Sequence, residues 1–499
     1  MDARRWWGGL PHLPVGAAVL AVVIVGSACA TPVSAPTGGA RHAPSDPSKG
    51  SAAVTPPDRA SNSARGVLGK KINVVFPVVN LTSLAGEFGF AADPEFAEQI
   101  PAIKFYVSQI NDAGGINGRK INAIIANFDP TNESEMRALC KDWTEGSPPV
   151  FAVIDGLGAW TGDNELCVTQ EGKTPMLAEW TTATDWTTLG SPYLWWLGPD
   201  QAAILRTLVV WAYTSHDIGP TKKLGIVVGD RSSDQLALNA YLLPYLTDFG
   251  ITDPVVETIA ADPSESAATN TEAPLIVEKL RRAGVTSVIP LIPENAFFPY
   301  LQAETTQQYF PHLLLSDYES TIEIGLGLIP VPYEKALDGQ EGVTVQTLGG
   351  IDDDRPESQG GYDPGVRSCW TSWRKSPSFP FPRPPVHPGP WIEEQGPVAS
   401  WCQAIRLFAA AAAKAGPDLN RRTFVQAMAQ IGGFDGTWYP TLTYGPDKFF
   451  GPTEFEVVRL HTNDPHNNAC PLTYDGIPQG TCWQVVQPFR PLPSPAGSG

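Results

Sequence analysis

The stretch Gln109–Lys120, QINDAGGINGRK, decides how this chain is read. It ends a segment, Glu95–Ala113, whose apolar residues recur near helical spacing. Gly114-Gly115 then stops the helix, because glycine enters left-handed backbone without steric cost. Asn117-Gly118 is a tight-turn dipeptide, and it delivers the chain into the apolar run Ile121–Asn127, INAIIAN. Helix, turn and strand within so few residues make the joint of an α/β fold. The joint recurs along the chain. Strand-like runs at Ile72–Val78, Val150–Ile154, Leu224–Val228, Ser287–Leu291 and Leu313–Leu315 are continuous in Val, Ile and Leu, as parallel strands covered on both faces should be. Helix-like segments fall between them at Glu133–Trp143, Gln201–Thr214, Asp234–Phe249, Glu272–Ala283 and Asn295–Gln308. The alternation predicts an α/β architecture with right-handed crossovers, split into two doubly wound lobes joined by a hinge.

Beyond residue 350 the character changes. Residues 375–397 are crowded with proline, Val398–Ala415 and Arg421–Ile431 read as helices, and residues 433–460 alternate like strands with turns. After Pro488 the chain is again rich in Pro and Ser.

The N-terminus reads as an export signal. Arg4 and Arg5 precede the short apolar run Val15–Gly26, which is below the length of about 20 residues that a membrane span needs. Seven cysteines occur, an odd count that leaves one to explain in a secreted chain. Cys29 follows the apolar run, and two processing readings fit it. Gly26-Ser27-Ala28-Cys29 resembles a bacterial lipobox with Gly where the pattern prefers Leu, making Cys29 a lipid anchor. Ala28-Cys29-Ala30 also suits a peptidase that cleaves after Ala30. Residues 30–66 are nearly all Ala, Ser, Pro, Gly and Thr and cannot bury a core. Such a linker has an end-to-end distance of about 35 Å. The remaining six cysteines imply an oxidising compartment outside the cytoplasm. A net charge of −18 argues against nucleic acid or an anionic lipid surface as partner.

Enzymatic signatures are missing from the sequence. It has no HExxH, GxSxG, GxxxxGK[ST] or CxxC string. His216, His312, His387, His461 and His466 lack metal-ligand spacing. No cofactor and no catalytic group is expected.

The string NDAGGINGRK, followed by a strand that ends at Asn127-Phe128-Asp129-Pro130, resembles the first lobe of type I solute-binding proteins, the branched-chain amino acid binders of ABC importers. Element order and spacing extend the likeness from about residue 70 to about 460. Further along, Val150–Gly162 is similar to the family's strand and Gly-rich carboxylate loop, and Thr174–Thr184 to the segment that offers hydroxyls to the ligand. Glu341-Gly342-Val343 matches the E-G-V before the chain returns to the first lobe. Leu224–Gln235 occupies the place of the second lobe's opening strand, with Ser233-Asp234 where the family has Tyr-Gly.

The resemblance implies a ligand site. Gly158, Ala159, Trp160 and Thr161 would hold a ligand carboxylate with backbone amides and a hydroxyl. Trp180, Thr181 and Thr182 would line the same cleft, the indole as a stacking wall. From the second lobe, Glu294, Asp317, Tyr318 and Glu319 follow strands and should face the cleft. An acidic residue there holds the ligand ammonium in amino acid binders, and Tyr318 aligns as well as Glu319 does. A tight βα turn, lobe–lobe packing and solvated loop carboxylates are the bland readings of these three groups.

Pairing the cysteines by proximity gives Cys140–Cys167, Cys369–Cys402 and Cys470–Cys482, among fifteen connectivities open to six cysteines. The implied organisation is signal 1–29, linker 30–68, lobe 1 over 69–199 and 346–435, lobe 2 over 200–345 and 436–487, and a flexible tail at 488–499. The implied function is capture of a small ligand, an amino acid, amide or similar carboxylate-bearing molecule, by a monomer tethered outside the cell membrane and coupled to an ABC permease. An envelope sensor or scaffold of the same fold is the alternative, and a hydrolase of envelope components a third.

Overall fold

A computed structural model describes residues 63–80, 99–130, 132–156, 163–179, 184–262, 265–320, 322, 334–347, 368–373, 376, 392–461, 473–474, 477–478 and 482–493. Two sheets organise the folded body. The first contains β1 (Val67–Leu68), β2 (Lys71–Val79), β3 (Lys120–Phe128), β4 (Ala152–Asp155), β5 (Met176–Ala178) and β6 (Leu194–Trp196). Its order is β3-β2-β4-β5-β6 with all these pairs parallel, and β1 folds back antiparallel on β2. The second sheet has the order β17-β14-β11-β10-β9-β7-β8. Its parallel part is β7 (Leu224–Gly229), β8 (Val255–Ile259), β9 (Ser287–Leu291), β10 (His312–Ser316) and β11 (Glu341–Thr344). The strands β14 (Glu454–His461) and β17 (Cys482–Pro491) complete it antiparallel. β12 (Gly432–Asp435) and β13 (Thr441–Tyr444) form a separate hairpin, as do β15 (Thr473–Tyr474) and β16 (Ile477–Pro478).

Helices cover the sheets. On the first side lie α1 (Gln99–Asp112), α2 (Glu133–Glu145), α3 (Asp163–Leu166) and α4 (Thr184–Gly190). On the second lie α5 (Gln201–Thr214), α6 (Ser232–Leu236), α7 (Leu243–Asp248), α8 (Ser266–Ala283) and α9 (Glu294–Gln307), with α10 (Glu334–Leu337) after them. The chain then returns, through α11 (Ser368–Trp373), to α12 (Ile392–Lys414) and α13 (Arg421–Ala429), and α12 packs on α1, β4 and β5 of the first sheet. Strands β2, β4 and β7 are buried along nearly their whole length, which is why they read as unbroken apolar runs. Each such Val, Ile or Leu contributes about 1.5–3 kcal/mol by leaving water.

The opening string behaves as its residues dictate. Asn117 (φ 48°) and Gly118 (φ 78°) both take left-handed backbone, and Ile116 and Arg119 exchange backbone hydrogen bonds around them. A Cβ at Gly115 would lie 2.2 Å from the Arg119 carbonyl oxygen, so no other residue fits there. Asn111 then pairs with both backbone groups of Ile121, and Arg119 donates to the Pro417 carbonyl at 2.8 Å beyond α12. The string thus ties α1, β3 and the end of α12 together.

Three connections run between the sheets, and hydrogen bonds join them. Trp196 N–H donates to Phe449 O and Gly451 N–H donates back to Trp196 O. Thr347 N–H donates to Trp438 O at 2.9 Å. Lys448 reaches into this region and donates to the carbonyls of Thr443, Phe450, Gly451 and Pro452 at 2.6, 2.6, 2.8 and 3.3 Å.

Several expectations need amendment. The segment read as one helix over Asp234–Phe249 is continuously helical, α6 and α7 being joined without a break by a π-helical stretch at Ala237–Leu242. α8 begins at Ser266, upstream of the expected Glu272, and carries Pro274 inside it. The strand β17 continues to Pro491, so the chain after Pro488 is not a free tail at that point; β14 supplies the pairing partners that proline-rich composition concealed. Strands β5, β6 and β8 were not expected at all. Cys140–Cys167 and Cys369–Cys402 are bonded. Cys470 and the anchor candidate Cys29 lie outside the described residues, as does the side chain of Cys482. Among the described residues no helix is long and apolar enough to cross a membrane.

Candidate functional site

In open α/β sheets, ligands bind beyond the carboxyl ends of the parallel strands. In the second sheet those ends are Gly229 of β7, Leu291 of β9 and Ser316 of β10. The residues that follow carry a dense charge network. Arg231 donates to both carboxylate oxygens of Asp234, at 2.8 and 2.9 Å, and pairs with Glu319 at 3.1 Å. Tyr318 donates its hydroxyl to Asp234 Oδ1 at 2.5 Å and accepts from Gln201 Nε2 at 3.5 Å. Gly229 makes room for this, since a Cβ there would lie 2.2 Å from Asp234 Oδ2.

Electrostatics follow from the packing. Burial works against the Arg231 charge, but Glu319 and Asp234 outweigh it and hold the guanidinium more firmly protonated than usual. Glu319 stands in left-handed backbone (φ 49°), a conformation that costs a non-glycine residue roughly 1 kcal/mol or more. Its carboxyl is pushed up by burial, which Arg231 opposes. Glu294 opens α9 and is raised to about 7, by burial first and by the Glu319 charge second.

The sequence-derived candidates separate here. Glu319 joins the network as an ion-pair partner of Arg231. Tyr318 is fully buried, its hydroxyl spent within the second sheet's own elements. Asp317 turns away: it accepts from Thr344 Oγ1 at 2.7 Å, Val345 N at 2.7 Å and Gln346 Nε2 at 3.1 Å, and so clamps β10 to the exit of β11. Burial raises its carboxyl to about 7 despite those donors. Gly158, Ala159, Trp160, Thr161, Trp180, Thr181 and Thr182 lie outside the described residues.

The first sheet carries buried acids at its own strand ends, and the sequence alone did not single them out. Asp155 ends β4 and is buried, as is Glu179 just after β5. Glu165 on α3 is 1% exposed, and its Oε2 has no hydrogen-bond partner. Its carboxyl is raised well above the usual range, first by burial and then by the charges of Asp155 and of Glu319 from the other sheet. The backbone here is fixed by close approach, because a Cβ on Gly156 would meet the Trp401 ring at 2.5 Å. Arg231 and Asp234 carried one usable signal. They follow a strand of the same parallel set as Glu294 and Glu319, and so belong to the same set of strand ends. Glu165, Glu179 and Asp155 carried none, since a lone carboxylate in sequence says nothing about burial.

Comparison with known proteins places this geometry. Residues 79–311 match the family model described as periplasmic binding protein. Among curated proteins none matches the sequence. Among solved structures, the chain is similar to a fatty acid ABC transporter substrate-binding protein from Thermomonospora curvata, with 16% identity, a TM-score of 0.59, and 85% of this chain and 94% of that one covered. It is similar to a solute-binding protein from Rhodopseudomonas palustris BisB5 in complex with 3,4-dihydroxybenzoic acid, with 13% identity, a TM-score of 0.59 and 86% and 100% covered. A third is an ABC transporter substrate-binding protein from Desulfitobacterium hafniense in complex with Leu, with 15% identity, a TM-score of 0.53 and 83% and 100% covered. At these identities the likeness is one of fold, and the fold is that of the type I periplasmic binding proteins.

Proposed function

On the premise that residues 79–311 match the periplasmic binding protein family and that the chain folds as its type I members do, we propose that it captures a small solute between two lobes and hands it to an ABC-type permease. One observation carries this reading most. Glu165, buried after β4 of the first sheet, feels the charge of Glu319, which follows β10 of the second, so ionisable groups of the two sheets' strand ends act on each other. Lobe 1 takes residues 69–199 and 346–435, and lobe 2 takes 200–345 and 436–487. Each lobe holds part of the ligand, so the closed arrangement is favoured when the ligand bridges both.

Within that reading, Gly158–Thr161 and Trp180–Thr182 supply the first lobe's contacts, and Glu294 with Glu319 the second lobe's. The ligand is an amino acid, amide or comparable carboxylate-bearing solute. The protein acts as a monomer without catalysis, and Cys29 anchors it by lipid to the outer face of the cell membrane through the linker 30–68. Thermal unfolding of the full chain with amino acids, amides and aromatic acids tests the capture. A true ligand at a hundredfold excess over Kd adds about 2.7 kcal/mol of stability. Trp160→Ala and Thr182→Ala should each weaken that ligand at least about tenfold, as loss of a desolvated contact does. Unchanged affinity in both would remove these loops from the site.

A further inference from the structure

We propose that the Cys369–Cys402 disulfide is a redox-sensitive switch of the hinge, opened by an external dithiol and felt through Thr437 and Gln403. Its consequence for capture rests on the solute-binding reading above; its chemistry does not. One sulfur of the pair is set apart. Thr437 Oγ1 donates to Cys369 Sγ at 3.1 Å, and Arg406 Nη1 stands 3.7 Å from the same atom. Arg406 also reaches Thr437 Oγ1 at 3.4 Å and Ser368 Oγ at 3.5 Å, and lies over the Phe434 ring. Burial lowers the Arg406 guanidinium from its ordinary value, and the charges of Asp435 and Tyr106 oppose that. A guanidinium keeps its charge in a protein. A hydroxyl donor and a cation at one sulfur stabilise the thiolate that forms there when the bond breaks. A disulfide kept for reinforcement needs neither, since sulfur is a weak acceptor.

The same residues hold a crossing between the sheets. Cys402 is followed on α12 by Gln403, whose Oε1 accepts from the backbone N–H groups of Thr437, Trp438 and Tyr439 at 2.6, 3.1 and 3.2 Å. These three residues lie in the turn of the β12–β13 hairpin, which leads on to β14 of the second sheet. Thr347, just beyond β11, docks on that turn. Its N–H donates to Trp438 O at 2.9 Å, and its Oγ1 donates to Thr437 O at 3.2 Å. Thr437 thus touches the disulfide with its side chain and the second sheet's exit with its backbone. Cys369 O accepts from the Tyr106 hydroxyl of α1 at 2.8 Å, and Trp373 packs against Phe105, so α11 stays on the first lobe when the bond opens. What the open bond frees is the α12 segment around Cys402, and with it Gln403 and the turn.

The covalent step is a thiol–disulfide exchange. One thiolate of the dithiol attacks Cys402 Sγ, the Cys369–Cys402 bond breaks, and Cys369 leaves with the electron pair as the stabilised thiolate. The dithiol's second thiolate then attacks the reductant's sulfur in the mixed disulfide and releases Cys402. The protein gains two electrons and the dithiol is oxidised to its own disulfide. Of the dithiol's two protons, one ends on Cys402 and the other goes to solvent. Both cysteines are buried, so the dithiol reaches Cys402 when α11 and α12 part.

The test places the full chain in dithiothreitol buffers of graded reduced-to-oxidised ratio at neutral pH, with alkylation and peptide mass spectrometry to read each disulfide. Cys369–Cys402 should open at a ratio that leaves Cys140–Cys167 oxidised. Thr437→Val should raise the ratio required by about tenfold, as loss of one hydrogen bond to a charged group does, and Thr437→Ser should restore it. In the selectively reduced protein, amide exchange in peptides spanning 344–347 and 436–440 should quicken by at least about tenfold, the scale of one lost anchor, while β2 and β4 keep their protection. An unchanged ratio in Thr437→Val overturns the tuned sulfur. Unchanged exchange after reduction overturns the coupling to the hinge. If both disulfides open together with loss of protection in β2 and β4, the bond is reinforcement and the switch is wrong. No solute enters this experiment, so its failure is distinct from a failure of solute capture, which the thermal screen with solutes reads.

Discussion

Arg231 is the residue on which the second lobe's strand ends depend. It neutralises two carboxylates that would otherwise face each other, and its own side chain is 28% exposed. Breaking a partly buried pair while leaving its partners charged costs about 1–3 kcal/mol, less than the figure for a fully buried pair because water screens part of it. Arg231→Gln should lower the urea midpoint accordingly, and Arg231→Gln/Asp234→Asn should recover most of the loss, since the second change removes the stranded charge. A double variant as unstable as the single one would show that Asp234 matters through Tyr318 instead. Tyr318→Phe gives that comparison directly: it removes one hydrogen bond to a charged acceptor, worth about 1.5–3 kcal/mol. These roles were hidden in the sequence for a physical reason. Glu319 was legible as an acid after a strand, whereas its engagement by Arg231 depends on two loops separated by the whole of β8, β9 and their helices. Asp317, its near neighbour, reads identically in sequence and points to β11 instead, because Glu319 stands in left-handed backbone past the strand end and is turned away from Asp317's direction.

At the scale of elements, the disulfides mark where the first lobe was reinforced. Cys140–Cys167 joins α2 to the turn after α3 across 27 residues, and Cys369–Cys402 joins α11 to α12 across 33. Loop-closure entropy assigns each about 3.5 kcal/mol. Cys140→Ala/Cys167→Ala should therefore cost about 2–4 kcal/mol in denaturant titration, and because α3 carries Glu165, any ligand should bind more weakly to it as well. A loss of stability with affinity intact would mean that α3 is placed by packing alone. Elements of this kind were largely legible beforehand. Strands β2, β3, β4, β7, β9 and β10 announced themselves as runs of branched apolar residues, and α5 matched its expected limits. The misses share a cause. β5 and β6 have three residues each, too short to show a period, and β8 shows alternating burial at the sheet edge. As for the site, the strand-end loops were legible from topology, but the acids that meet across the two sheets were not, because their meeting is set by tertiary packing.

For the molecule as a whole, buried ionisable groups set the dependence of stability on pH, and the sign follows from each shift. Asp317 and Glu294 are raised to about 7 by burial, and Asp200, which caps α5 through Ala203 N–H at 2.7 Å, is raised to about 6 by burial against the pull of that donor and of Lys448. Between about pH 4 and 7 the unfolded chain has released protons that the folded chain keeps, so stability falls as pH rises through that window. Lys448 has the opposite shift. Burial among four carbonyls lowers it to about 8, with Asp200 opposing, so above that pH the unfolded chain holds a proton that the folded one has lost, and stability rises again toward pH 10. The exposed pairs of Glu171 and Glu278 act below about pH 4.5, where protonation removes their modest support. Together these give a maximum near pH 4, a trough near pH 7–8 that lies about 2–4 kcal/mol lower, and a partial recovery in mildly alkaline solution. Guanidinium midpoints measured from pH 4.5 to 9.5 check the shape, and Lys448→Met should remove the alkaline recovery while lowering stability throughout. Midpoints that climb steadily from pH 5 to 8 would contradict the sign, and would mean that the buried carboxyls are ionised and paired in the folded chain.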